Sequence, residues 1–118
     1  MEKVAGIGGI FFRAQDPKAL KEWYAKHLGV GPAPECPDEP WQQDAGPTVF
    51  EAFPVKTEYF GREAQQWMIN FRVRDLDAIV AQLRDGGIEV ADVQKYPYGS
   101  FARIHDPEGN PIELWQPA

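Results

Sequence analysis

GIFFRAQDPKALKEWY, residues 9–24, returns as MINFRVRDLDAIVAQL, residues 68–83, at an offset of 59. Ile10/Ile69, Phe12/Phe71, Arg13/Arg72, Asp16/Asp75 and Ala19/Ala78 are identical, and Leu20/Ile79 and Tyr24/Leu83 keep their apolar character. A second echo follows in each half: Asp44, Glu51 and Phe53 return as Asp106, Glu113 and Trp115 at an offset of 62. A module of about 55–60 residues therefore occurs twice, and duplicated units place equivalent positions around a shared cavity. The expected organisation is one domain holding two modules, about residues 4–60 and 64–117.

Each module opens with a strand. Alternation puts Ile10 and Phe12 on one face of residues 8–13, with Gly9, Phe11 and Arg13 on the other. In the second copy Ile69, Phe71 and Val73 oppose Met68, Asn70 and Arg72. One face reads as core, and the mixed face suits solvent or a ligand. A helix follows in each half. Asp16 and Asp75 stand where a carboxylate caps the first free N–H groups, and Pro17 fits the first helical position. Leu20, Trp23, Tyr24 and Leu28 recur at helical spacing, as do Leu76, Ile79, Val80 and Leu83; Gly29 and Gly86-Gly87 end the two runs. The rest of each module reads as strands. Residues 99–105 and 111–116 form a hairpin through Asp106-Pro107-Glu108-Gly109-Asn110, and residues 41–43 and 48–53 are their equivalents in the first half. Five prolines between residues 31 and 47 make that stretch mostly irregular. The order is β-α-β-β-β twice, an α+β fold with helices outside curled sheets.

Composition narrows the function classes. A net charge of −6 argues against nucleic acid and anionic membrane as partners. No stretch approaches the roughly 18 apolar residues of a spanning helix, and the opening Met-Glu-Lys-Val has no apolar run suited to a signal peptide. The lone Cys36 makes no intrachain disulfide, so the expected location is cytoplasmic. No dinucleotide loop, P-loop, nucleophile elbow or zinc knuckle is present, since the glycines at 6, 8 and 9 precede or start a strand instead of opening a helix.

D-P-x-A-L-x-x-W-Y-x-x-x-L-G at residues 16–29, D-L-D-A at 75–78 and, above all, D-P-E-G-N-P-I-E-L-W at 106–115 resemble the vicinal oxygen chelate superfamily. That superfamily holds glyoxalases, bleomycin-resistance proteins and extradiol dioxygenases. The resemblance implies two modules forming a cup-shaped mixed sheet of about eight strands around a pocket, in a homodimer. It also implies four metal-ligand positions, which fall on Gly9, Glu51, Met68 and Glu113. Glycine offers no side-chain donor and a thioether is a poor ligand for hard cations, so no tightly held metal is expected. Glu51 and Glu113 alone would hold a divalent ion loosely.

The candidate catalytic groups are therefore Glu51 and Glu113, with His105 as a further general base if it shares their face. Arg13, Arg72 and Arg103 fall on the mixed face, as substrate clamps or as rim charges. Phe11, Phe53, Met68, Asn70, Phe101 and Trp115 are expected to line the pocket. The leading expectation is a protein that binds a small aromatic or cationic molecule without cofactor. The rivals are a metal-dependent lyase, isomerase or dioxygenase using Glu51 and Glu113, and a non-catalytic dimerising or regulatory module.

Overall fold

The computed structural model describes residues 1–33 and 35–118; Pro34, one of the prolines of the irregular stretch, lies outside the described residues. The chain forms an α+β fold of two helices and one four-stranded mixed sheet. In order these are α1 (Pro17–Leu28), β1 (Ile69–Arg72), α2 (Leu76–Asp85), β2 (Gln94–Tyr96), β3 (Gly99–His105) and β4 (Pro111–Pro117). The sheet order is β1-β4-β3-β2, with β1 parallel to β4 and the other pairs antiparallel. The β3–β4 hairpin is central, and β1 returns beside β4 because the α2 crossover allows a parallel neighbour.

Both helices start as local chemistry dictates. Asp16 accepts from the Ala19 N–H at 3.1 Å with Pro17 in the first turn, and Asp75 accepts from the Ala78 N–H at 3.0 Å. α1 ends at Gly29, whose φ of 66° is left-handed. After α2 the left-handed residue is Gly87, not Gly86.

Alternation sorts the sheet into two faces. Ala102, Ile104, Ile112 and Leu114 are buried beneath Leu76, Val80 and Leu83 of α2 and Leu20 and Tyr24 of α1. α1 thus packs in the same apolar core as the strands of the second half. Two polar ties hold it there. The Tyr24 hydroxyl donates to buried Asp106 at 2.6 Å, and the Glu108 carboxylate accepts the N–H groups of Gln15 and Asp16 at 2.7 and 3.1 Å. Asp106 also accepts from the Glu108 and Asn110 N–H groups and the Asn110 side chain, so the Asp-Pro-Glu-Gly-Asn turn orders itself and clasps the start of α1.

The first half departs from its expected strands. Among the described residues none of 8–13, 41–43 or 48–53 is in a strand, so the sheet has four strands and stays open at β1 and β2. Residues 1–13 and 41–55 are exposed throughout, with Phe11 at 96%, Phe50 at 93% and Val55 at 99%. A strand exists only against a partner edge. Prolines at 40, 47 and 54 also cut the 41–55 run into short pieces.

Candidate functional site

The sheet face turned away from the helices carries Asn70 and Arg72 from β1, Glu113 and Trp115 from β4, and Phe101 and Arg103 from β3. Register makes them neighbours: Asn70 pairs with Glu113, Glu113 with Arg103, and Trp115 with both Arg72 and Phe101. Residues directly opposite on adjacent strands share a face, so this grouping follows from pairing.

Glu113 is the centre of the face. One carboxylate oxygen accepts from the Asn70 side-chain amide at 2.7 Å, and the other accepts a short hydrogen bond from the Tyr59 hydroxyl. The Arg103 guanidinium, although directly opposite Glu113, lies over the Tyr59 ring at 4.9 Å from its centroid. Phe53 stacks on the same ring at 5.8 Å between centroids and 15° between planes, and Phe60 leans on Phe53. Partial burial, then the bond to Glu113 and its charge, push the Tyr59 phenol up to about 12, with Arg103 acting in the opposite sense.

Along the sheet the face becomes an aromatic platform. Phe101 and Trp115 stack at 6.5 Å, and Tyr96 and Tyr98 stack at 5.1 Å with Phe101 6.0 Å from each. The Trp115 indole N–H is buried without a partner among the described residues and sits over Gly99, whose φ is +151°.

The remaining expected residues are dispersed. Glu51 is exposed in an irregular stretch instead of on a strand, because the 48–53 strand has no partner edge here. Phe11 projects outward in the irregular start of the chain for the same reason. Met68 is half-buried just before β1. Arg72 turns to the backbone carbonyls of Asp44 and Pro47, anchoring the 44–47 turn to β1 instead of offering a free clamp. His105 lines an open cavity of about 490 Å³ with Trp23, Ile88 and Arg103 at the edge of β3. Arg13 lines another of about 600 Å³ with Asp16, Arg62 and Glu108. Neither cavity includes Glu51 or Glu113. Tyr59, by contrast, falls outside every motif: it lies in no strand and has no echo in the second half, so only its contacts reveal it.

Among the described residues no three His, Cys, Asp or Glu side chains lie together as a metal donor set. Glu113 already spends both oxygens on Tyr59 and Asn70, Gly9 supplies no donor and Met68 a soft one. These residues do not fit the metal centre that the superfamily resemblance implies. No helix among the described residues is long and apolar enough to cross a membrane.

Comparison with known proteins places these features in context. The family model of the glyoxalase-like domain matches residues 9–115. Among solved structures, a glyoxylase/bleomycin resistance protein/dioxygenase domain from Frankia sp. EAN1pec superposes with a TM-score of 0.64 at 14% identity, covering 98% of this chain and 100% of that one. TnmS3, an antibiotic binding protein from Streptomyces sp. CB03234, gives 0.65 at 22% identity with both chains fully covered. A lactoylglutathione lyase from Agrobacterium tumefaciens gives 0.60 at 16%, covering 98% and 96%. At these identities the likeness is one of fold. No curated protein sequence matches the chain.

Proposed function

Because this chain belongs to the glyoxalase-like domain family, we propose that it binds a small organic molecule on the sheet face centred on Glu113, without a tightly held metal. The observation that carries the reading is the hydrogen-bonded carboxylate of Glu113, framed by Asn70, Tyr59 and Arg103 beside the Phe101–Trp115 stack on a face no helix covers. Aromatic surface with a few convergent polar groups is the usual make-up of a ligand site. The antibiotic-binding description of TnmS3 fits that use of the fold. In this reading the aromatic platform supplies contact area and Glu113 supplies orientation. Arg103 disfavours a cation at the Glu113 end.

The open sheet leaves the site half-walled. We therefore extend the proposal to a homodimer in which a second copy pairs with the exposed 1–13 and 41–55 stretches, completing a cup of about eight strands. The bare edges of β1 and β2 and the outward Phe11, Phe50 and Val55 support it.

A thermal-shift screen of small aromatic compounds on wild type and Glu113→Gln tests the binding site. The expected outcome is at least one compound that stabilises wild type and binds the variant about tenfold more weakly, while the unliganded variant folds within about 1 kcal/mol of wild type. Unchanged binding with a large stability loss would make Glu113 a structural partner of Tyr59 and Asn70 and end the assignment.

A further inference from the structure

Tyr59 is held as a ligand would be held. Its ring stacks with Phe53, 5.8 Å between centroids, and the Arg103 guanidinium lies 4.9 Å from its centroid. Its hydroxyl donates to Glu113, whose other oxygen is fixed by Asn70 at 2.7 Å. The stretch that carries it, residues 51–66, has no helix or strand, and Tyr59 remains 41% exposed. Its backbone restraints are local: its own N–H donates to the Thr57 hydroxyl at 3.2 Å, and turns join the Thr57 N–H to the Pro54 carbonyl and the Gly61 N–H to the Glu58 carbonyl. Phe53 belongs to the same segment, but the other residues that hold the ring are anchored differently. Arg103 and Glu113 stand on the central hairpin, and Asn70 on the strand beside it. A rigid sheet thus presents a binding surface, and an irregular segment supplies the aromatic group resting on it.

We propose that Tyr59 is an internal stand-in for the ligand, and that the Glu113 site takes a hydroxyaromatic compound, a phenol, which displaces it. The inference rests on the reading of this face as a binding site and adds the ligand's chemical class. Each feature of the cradle selects for that class. Glu113 asks for a hydrogen-bond donor, and the Arg103 guanidinium repels an ammonium group while favouring an electron-rich aromatic ring. A benzene ring without a donor would leave the Glu113 oxygen unpaired, which sites built around a hydroxyl discriminate against strongly. Occupancy by Tyr59 also lowers apparent affinity, because an outside phenol binds only the fraction of molecules in which the side chain has swung out.

p-Cresol, the Tyr side chain cut at its methylene, is the probe, with toluene as the match lacking the hydroxyl. Binding is read from the Asn70 side-chain amide resonances in 15N-labelled protein, since that amide is bonded to Glu113. Tyr59→Ala is expected to bind p-cresol about tenfold more tightly than wild type, corresponding to Tyr59 being out about one-tenth of the time. Toluene should bind the variant at least tenfold more weakly than p-cresol does, and Tyr59→Ala with Glu113→Gln should lose the gain. Tyr59→Phe, whose ring lacks the donor for Glu113 and so competes less well, should also gain, by no more than Tyr59→Ala. Equal binding of toluene and p-cresol would overturn the phenol assignment by reducing the site to an apolar hole. If wild type binds p-cresol through Glu113 as well as Tyr59→Ala does, Tyr59 is a wall of the site: the inference falls while the binding face stands. If p-cresol moves the Asn70 amide in neither protein, while another compound from the screen still discriminates Glu113→Gln, only the phenol class is lost. If no compound does so, both readings fall.

Discussion

Tyr59 and Gly99 each show how one side chain's chemistry is set by a partner distant in sequence. Tyr59 donates to Glu113 54 residues away, and both burial and that bond raise its phenol from 10.0 to about 12. The raised value fixes the sign of the pH dependence. The bond contributes in full below about pH 10, where the phenol is neutral in folded and unfolded chains alike, and its contribution is lost as pH rises through about 12. Ultraviolet titration of the four tyrosines should accordingly show two ionising late, Tyr24 and Tyr59, and Glu113→Gln should move only Tyr59 toward lower pH. An identical curve for the variant would mean that Tyr59 does not bond Glu113 in solution. At Gly99 the constraint is steric. A Cβ there would stand 2.7 Å from the Trp115 indole nitrogen, on a backbone whose φ of +151° few side-chain-bearing residues adopt. Gly99→Ala should cost about 1–3 kcal/mol in denaturant unfolding and shift Trp115 fluorescence as the indole is pushed off β3.

Among the elements, α1 is the one placed by contacts rather than by its own sequence. Its stripe of Leu20, Tyr24 and Leu28 says only that one side must be buried. The tie between Tyr24 and Asp106, and that of Glu108 to the start of the helix, decide where. Burial, and then the Asp106 bond, raise the Tyr24 phenol far above its usual range, so it remains a neutral donor well into the alkaline range. Tyr24→Phe keeps the ring and removes the donor, leaving Asp106 its three turn donors. The expected loss is about 1–2 kcal/mol, with hydrogen exchange of the α1 amides accelerated more than that of β4. Equal acceleration in both would show that α1 and the sheet open as one unit. β3 and β4, by contrast, are readable from residues 99–116 directly: a period of two, a turn-rich pentapeptide and continuous apolar positions at 102, 104, 112 and 114 leave one register that buries them all.

Across the whole molecule the two halves that the sequence reading paired differ in structure. The second half forms an open four-stranded sheet packed on a helix, whereas the first contributes a helix and long exposed stretches. The radius of gyration, 15.1 Å, exceeds the roughly 13.5 Å expected of a compact chain of this length. Exposed Phe11, Phe50 and Val55 are the kind of surface that association buries. Sedimentation equilibrium should give twice the mass of one chain, and Phe50→Asp should shift it toward one. A wild-type monomer across micromolar concentrations would sink the paired-chain proposal.

The amino-acid sequence by itself determined the starts of the two helices, the helices themselves, the β3–β4 hairpin and, within the second half, the alternation that puts Asn70, Phe101, Arg103 and Trp115 on the face of Glu113. These depend on period and on neighbours a few residues apart, and local sterics and hydrogen bonding fix them wherever the segment lies. The same reading assigned strands to 8–13, 41–43 and 48–53 and set Glu51 opposite Glu113, yet those stretches are irregular in the single chain. Strand pairing is not a local property: alternation marks a segment able to pair but does not supply the edge. Tertiary structure alone decided that α1 packs in the core of the second half's sheet, that Arg72 is engaged by the 44–47 turn, and that Tyr59 lies on Glu113. Each joins residues well apart in the chain, and no periodicity within either segment encodes which partner it will meet.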